Sequence, residues 1–435
     1  MHIIFFIIFT FLIIAPYFSV SPLNLYFTDQ EIEHYLVYAI WGLWFPLVFL
    51  SVIFSGRSWC GLFCPMGAAS EWVNKIGFKQ DIPRWLRWEG TPTISFIIVT
   101  ILGQTVGIRD HLEAISVLFL LTFLLALVIG FIYGKKKRVW CRHLCPIGLL
   151  LGIFSRIGTV QFAPPFLLKG RNRYNEKGRC PTMIDLPSKD ESRHCIECFK
   201  CVSPDAKGSV RFKLRKPGTE IINIRKYNPN VSEVIFLFTG SGLALGGILW
   251  LTLPLYQSLR QAIGEWFILN GWNWIAYPGP AWLMAVYPEK REVFVWLDFF
   301  MICSFMISVM MIVTVVLSLS SLTSAYLSGK YGGDKNLKTR FIEVSYLFTP
   351  VAMVSLLLGL GGSVIELLTL VAPSPYTAST LRIVLLTAGI IWSSYLGWHI
   401  LKRQGLSAKY NLRALTPSII GTVIIAFLWV PAIFA

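Results

Sequence analysis

Charged side chains are scarce in this 435-residue chain, at 14% against 55% hydrophobic residues, and the mean hydropathy is +0.62. Such a chain cannot make the solvated surface of an ordinary soluble globule, so a cytosolic globular fold is excluded. Histidine is equally sparse. His2, His34, His111, His143, His194 and His399 all fall at predicted termini or loops, and no C-x-x-C-H occurs. Intrinsic b- or c-type haem, which needs such ligands, is therefore disfavoured. The nine cysteines are too few and too clustered for a secreted disulfide scaffold. The opening apolar stretch 3–14 lacks the basic region and small-residue cleavage pattern of a cleaved signal, and reads as a retained first helix.

What is present is a series of apolar blocks near the length needed to cross a hydrocarbon core of roughly 30 Å at about 1.5 Å per residue. Nine spans are predicted, at 3–20, 35–55, 92–107, 114–133, 233–255, 295–324, 346–371, 381–400 and 417–434. The third is the shortest and fits a tilted or broken element. The expected fold class is an all-α polytopic membrane protein with one small polar insert. Its expected domains are a four-helix unit over 1–160, the insert over 161–230 and a further transmembrane unit of about five helices over 231–435.

With the N-terminus inside, segments 55–91, 134–232, 325–345 and 400–414 hold 34 of the 39 Lys and Arg residues. This asymmetry places them at the cytoplasmic face of a prokaryotic inner membrane. The net charge of +16 then reads as an orientation device that also attracts anionic lipid, and gives no reason to expect nucleic acid.

Eight of the nine cysteines fall into two kinds of motif, while Cys303 reads as an inert small hydrophobe within an apolar run. Cys195, Cys198 and Cys201 form C-x2-C-x2-C, a spacing that sets three thiolates around one iron–sulfur cube. The fourth cysteine of the full pattern is replaced by Asp205, and Cys180, followed by Pro181, supplies the missing thiolate. One [4Fe-4S] cluster follows, with tetrahedral zinc as the weaker reading. The polar core 180–210 is too small to bury a substantial apolar core, so ligation must supply its folding energy. Residues 209–215 alternate like a short strand beside it.

The second kind is an internal echo, W-C-x-x-x-C-P-x-G, occurring at Cys60 and Cys64 and again 81 residues later at Cys141 and Cys145. Four-residue spacing brings each pair together on a helical turn. The four could form a second metal site or cluster, act as redox or transient-metal cysteines, or brace helix ends; a reducing cytoplasm argues against permanent disulfides. Basic residues Arg57, Arg142, His143, Arg193, His194 and Lys200 flank both kinds of motif, either tuning the sulfur sites or anchoring helix ends to lipid. Asp298 and Glu366 inside spans, with Asp110 and His111 outside, are candidates for a proton or quinone role. Glu233 is expected at the interface, and Trp266, Trp272, Trp274 and Trp282 in an outer interfacial cap.

Two C-x3-C-P motifs at cytoplasmic helix ends followed by a ferredoxin-like cysteine group resemble the NapH, NosR and CcoG group of membrane-bound 4Fe-4S proteins, over about residues 35–210. The resemblance implies that Cys60, Cys64, Cys141 and Cys145 are the family's paired motifs and Cys195, Cys198 and Cys201 its ferredoxin ligands. It further implies assistance of quinol oxidation with electrons passed to periplasmic or membrane acceptors, or else service in maturation and metal reduction; other subunits of a redox complex are the expected partners. Those relatives usually carry two complete ferredoxin motifs, whereas this chain has material for one. The leading expectation is an electron-transfer subunit coupling quinone to a partner complex. The alternatives are an assembly factor handling copper or iron–sulfur groups, and a transporter.

Overall fold

The computed structural model describes residues 2–14, 35–168, 172–202, 210–332, 336–360, 365 and 376–434. Glu366 and Asp205 lie outside the described residues. The chain is helical, with only two short two-stranded ribbons among those residues. Among the described residues seven helices are long and apolar enough to cross a membrane. The described part of the expected span 3–20 lies in α1 (His2–Ile14), residues 15–20 being outside the described residues, and the expected span 92–107 takes the form of a shorter apolar helix, α4 (Thr91–Thr105). At about 1.5 Å per residue α4 covers roughly 22 Å, less than a hydrocarbon core.

The first cysteine motif follows α2 (Tyr35–Ser55) and leads into α3 (Pro65–Val73). After α4, α5 (Leu112–Ile132) returns to the same face, where α6 (Val139–His143) carries the second motif into α7 (Pro146–Ser155). The polar insert contains strands β1 (Val160–Ala163) and β2 (Arg211–Leu214), paired antiparallel with Phe162 opposite Phe212. Within the alternating segment 209–215, whose first residue lies outside the described residues, Arg211–Leu214 becomes a strand, and Phe162 and Phe199 meet edge to face at 5.0 Å beside the cysteine loop.

The second half comprises α8 (Val231–Thr252), α9 (Pro254–Leu269), α10 (Trp296–Tyr331), α11 (Leu337–Gly359), α12 (Thr377–Arg403) and α13 (Ala408–Phe434). Lipid tails are as apolar as leucine, so close backbone approach has to hold such helices together. Gly242 and Gly246 provide it on α8. A Cβ there would stand 2.8 Å from the Cα of Met310 and 3.1 Å from that of Met306 on α10. One buried core continues through Phe49 and Val52 of α2, Phe154 of α7, Phe236 and Phe238 of α8, Met306 of α10 and Val351 of α11. The helix α9 and the turn after it expose Trp266, Leu269, Trp272, Trp274 and Trp282, the amphipathic cap expected at a membrane interface.

Charge at the insert face does more than orient the chain. Lys137 and Arg138, within the basic run 135–138, are buried at 3% and 1% exposure. The Lys137 ammonium donates to the carbonyl of Cys180 at 3.0 Å, and the Arg138 backbone amide donates to that of Pro181 at 2.8 Å. Glu233 is likewise fully enclosed instead of interfacial. It lies 2.9 Å from both Arg156 and Arg193 and accepts from the Tyr346 hydroxyl. Glu220 joins Arg156 at 2.7 Å, and Arg215 pairs with Glu220. This enclosed network ties α7 and the insert to α8 and α11.

Candidate functional site

The two echoed motifs fold alike for a local reason. Pro65 and Pro146 each take the first position of a helix, where a missing N–H costs nothing. Cys64 and Cys145 become the extended residues just before it, with φ, ψ of −63°, 115° and −57°, 120°. The Cys64 amide donates five residues back to the Trp59 carbonyl and the Cys145 amide to that of Trp140, each at 2.9 Å. These wide turns hold each cysteine pair at the mouth of its helix.

Tertiary packing then brings the copies together. A Cβ on Gly67 would lie 3.1 Å from the Cys141 sulfur and 3.3 Å from an Arg138 nitrogen; one on Gly148 would lie 2.7 Å from the Cys141 carbonyl and 3.6 Å from an Arg57 nitrogen. Each motif's glycine thus makes room for the arginine of the other copy. Arg57 and Arg138 occupy equivalent positions, two residues before the tryptophan of each motif, so the echo begins at R-x-W-C. The correspondence of Arg138 with Arg57 was the sequence signal for this, lost within the basic run. Arg57 reaches the Cys60 sulfur at 3.9 Å and donates to the Arg193 carbonyl at 2.5 Å. Arg138 donates to the Cys60 carbonyl at 2.9 Å and to Glu71 at 2.7 Å, and Glu71 also pairs with Lys200 of the insert.

Cys180, Cys195, Cys198 and Cys201 line a single small cavity together with Phe162, Lys189, Ile196 and Phe199. Cys180 therefore joins the C-x2-C-x2-C loop despite standing 15 residues before it. Glu197 and Phe199 of that loop take positive φ of 53° and 59°, which wraps the backbone around the cavity. Among the described residues no three His, Cys, Asp or Glu side chains are gathered to hold one metal ion. Four cysteines lining one cavity supply the all-thiolate donor set that an iron–sulfur cube takes.

Burial pushes the Cys195 thiol up to about 12 and that of Cys201 to about 11. In the paired motifs it raises Cys145 to about 12, Cys64 to about 11 and Cys141 well above its usual value. Thiols held protonated at neutral pH are poor nucleophiles, whereas ligation to metal deprotonates them outright. Burial also keeps the carboxyl of Glu197 protonated up to about 8, and His143 is held neutral by the same cause, helped by Arg142.

The two cysteine groups are neighbours. A Cβ on Gly61, inside the first motif, would strike the Ile196 carbonyl and stand 3.0 Å from the Cys198 Cα. Gly61→Ala is expected to lower stability by about 1–3 kcal/mol through overpacking. A thermal melt in detergent tests this; an unchanged midpoint would show that the insert loop yields freely.

On the membrane side of the paired motifs lies an elongated cavity of about 260 Å³. Cys60, Cys64 and Cys145 form one end, Trp41, Trp44, Phe45 and Trp59 are among its walls, and Gln104 and Arg109 are at the other end. The remaining sequence candidates are placed elsewhere. His111 is buried on the face opposite the insert, its Nε2 2.9 Å from Glu292 and its ring stacked 3.7 Å from Tyr287, with Asp110 exposed beside it. Asp298 caps the start of α10, accepting from the Val295 amide at 3.0 Å and pairing with Arg260, away from the cavity. Gln104 and Arg109 were not singled out by sequence, because neither belongs to a motif.

The arrangement is that of a multi-helix membrane protein, and residues 38–83 and 116–166, which contain the two C-x3-C-P motifs, match the family described as 4Fe-4S binding domain. The NapH-like resemblance is borne out by individual relatives. The chain is 24% identical to the ferredoxin-type protein NapH of Haemophilus influenzae, over 39% of this chain and 66% of that one. It is 30% identical to an uncharacterized protein of Methanocaldococcus jannaschii over 36% of this chain and 65% of the relative. It is also 25% identical to a putative electron transport protein, YccM, of Escherichia coli, over 37% of this chain and 52% of that one. The chain thus spans from about half to two thirds of the length of these relatives. No solved structure matches it.

Proposed function

We propose that this protein is a membrane iron–sulfur electron-transfer subunit that draws electrons from quinol within the bilayer and delivers them to a partner docked at the insert. The observation that carries the reading is the continuity of the apolar cavity, its cysteine-lined end and the ferredoxin loop against Gly61. Cys180, Cys195, Cys198 and Cys201 would hold one [4Fe-4S] cluster. Cys60, Cys64, Cys141 and Cys145 would hold a second, which is supported by the 4Fe-4S family match lying on these segments. Such a cluster accepts and releases one electron at a time, the step needed to divide two-electron quinol oxidation.

The chain's own residues supply the rest. The aromatic walls exclude water and accept a flat ring, as apolar small-molecule sites do. Arg57 and Arg138 place positive charge against both sulfur groups, which favours thiolates and the more negative, reduced state. The match of the paired-motif segments to a 4Fe-4S binding domain favours this reading over a copper-handling maturation role. The excess of Lys and Arg on the insert side supports a cytoplasmic location for it.

Addition of quinol to the anaerobic, oxidised protein should develop the paramagnetic signal of a reduced cluster. Unchanged spectra under conditions where dithionite does reduce the protein would reject the quinol assignment. Cys60→Ser combined with Cys141→Ser should remove roughly four iron atoms per chain while leaving the insert cluster in place. Full iron content in that variant would rule out the second centre.

A further inference from the structure

We propose that the end of the cavity remote from the cysteines is the head-group site of the quinol, with Arg109 and Gln104 as its polar partners, and that the Asp110–His111–Glu292 cluster beyond it carries the released protons to the face opposite the insert. This rests on the quinol reading above and adds to it the location of the ring and the direction of proton release.

The cavity is almost wholly apolar, yet its far end holds a guanidinium. Among the described residues Arg109 makes one hydrogen bond, to the Gly359 carbonyl at 3.2 Å, and no carboxylate lies within ion-pair distance of it. Enclosure alone lowers its pKa to about 10, against a favourable contribution from Asp110. A cation in apolar surroundings with no carboxylate in direct contact is stabilised by a ligand that offers it an acceptor oxygen. Gln104 is fixed from behind, its carbonyl accepting from Trp250 at 3.1 Å. Its amide nitrogen lies 3.6 Å from where a side chain at Gly247 would begin, so glycine keeps that corner open. Both groups can therefore donate to the oxygens of a ring whose tail lies along the aromatic walls.

Immediately past Arg109 the chain turns through Asp110 to His111. The ring of His111 faces Glu292 at 2.9 Å, Lys290 at 3.5 Å and the stacked Tyr287, and Asp110 opens to solvent. Burial, reinforced by Glu292, raises the Asp110 carboxyl above its usual range. The imidazole in contact with Glu292, with the Asp110 carboxyl next to it in the chain, supplies titratable groups for a proton path to solvent. Oxidation breaks the two O–H bonds of quinol and leaves two carbonyls. The two protons go to this path. The two electrons go singly toward the cysteine end, along walls where Trp41 stacks on Phe45 at 4.9 Å and Trp44 meets Trp59 at 5.4 Å, and finally to a one-electron acceptor protein at the insert. Charge is thereby separated across the membrane.

The test uses the full chain in lipid nanodiscs and vesicles, with decylubiquinol and a short-chain menaquinol as probes. Arg109→Gln should raise the quinol concentration for half-reduction by about tenfold or more, as loss of a charge-assisted hydrogen bond implies. Arg109→Lys should recover part of this, and both variants should keep wild-type iron content and dithionite-reduced spectra. In vesicles with a soluble one-electron acceptor on the insert side, acid should appear on the opposite side, and His111→Gln should slow that release. Wild-type quinol dependence in Arg109→Gln, or acid on the insert side, would overturn the proposal while leaving quinol oxidation standing. Failure of quinol to reduce the wild type would remove both readings. A spin-labelled fatty acid bound by the wild type and lost in Arg109→Gln, without quinol reduction, would reassign the pocket to a lipid carboxylate and overturn the proposal.

Discussion

Arg156→Leu is expected to lower stability by about 3–5 kcal/mol, because it leaves the enclosed carboxylates of Glu220 and Glu233 without their shared guanidinium. The loss should fall first on the attachment of the insert. Arg156 also donates to the Tyr227 carbonyl at 2.8 Å, and the same Glu233 holds Arg193, the residue before His194 and Cys195. Limited trypsin digestion should therefore cut the variant within the insert under conditions where the wild type resists. Neutralising one acid in Arg156→Leu/Glu191→Gln should recover part of the stability, since the Arg193–Glu233 and Arg215–Glu220 pairs then remain balanced. Wild-type protease resistance in the single variant would show that the network is dispensable.

Cys195→Ser should have a still more localised and complete effect. The insert has little secondary structure beyond the β1–β2 ribbon, and its small core consists of Val160, Phe162, Cys180, Ile184, Cys195 and Val210, two of them the proposed ligands. Removing one ligand removes the folding energy that ligation supplies. Roughly four iron atoms per chain should be lost, with the paired-motif centre retained. The expected companion signature is new reactivity of Cys198 and Cys201 toward a maleimide as the loop opens. Unchanged iron content would mean that the cavity around Cys180 holds no cluster.

Much of the site was legible because its chemistry is written in short-range patterns. C-x2-C-x2-C and the repeated C-x3-C-P need only spacing to be recognised, and the proline after Cys64 and Cys145 identifies a helix start. Apolar periodicity likewise marks most of the helices, since lipid tolerates little else at those positions. The gaps have equally physical causes. Lys137 and Arg138 sit in a basic run that looks like a solvated lipid anchor, and only the fold shows them buried against the Cys180 loop. Glu233 reads as interfacial from its place at the start of an apolar run, until three separate elements supply Arg156, Arg193 and Tyr346.

Sequence alone determined that this is a polytopic membrane protein with two sulfur-rich motifs and a charge asymmetry, because composition, hydropathy and ligand spacing are properties of neighbouring residues. Only the tertiary structure decided that the two copies face each other through reciprocal Gly and Arg contacts, that Gly61 touches the C-x2-C-x2-C loop at Ile196 and Cys198, and that one apolar cavity runs from Cys60 to Arg109. Those relations join residues dozens to hundreds of positions apart. They depend on how close two backbones can come, which no local pattern encodes.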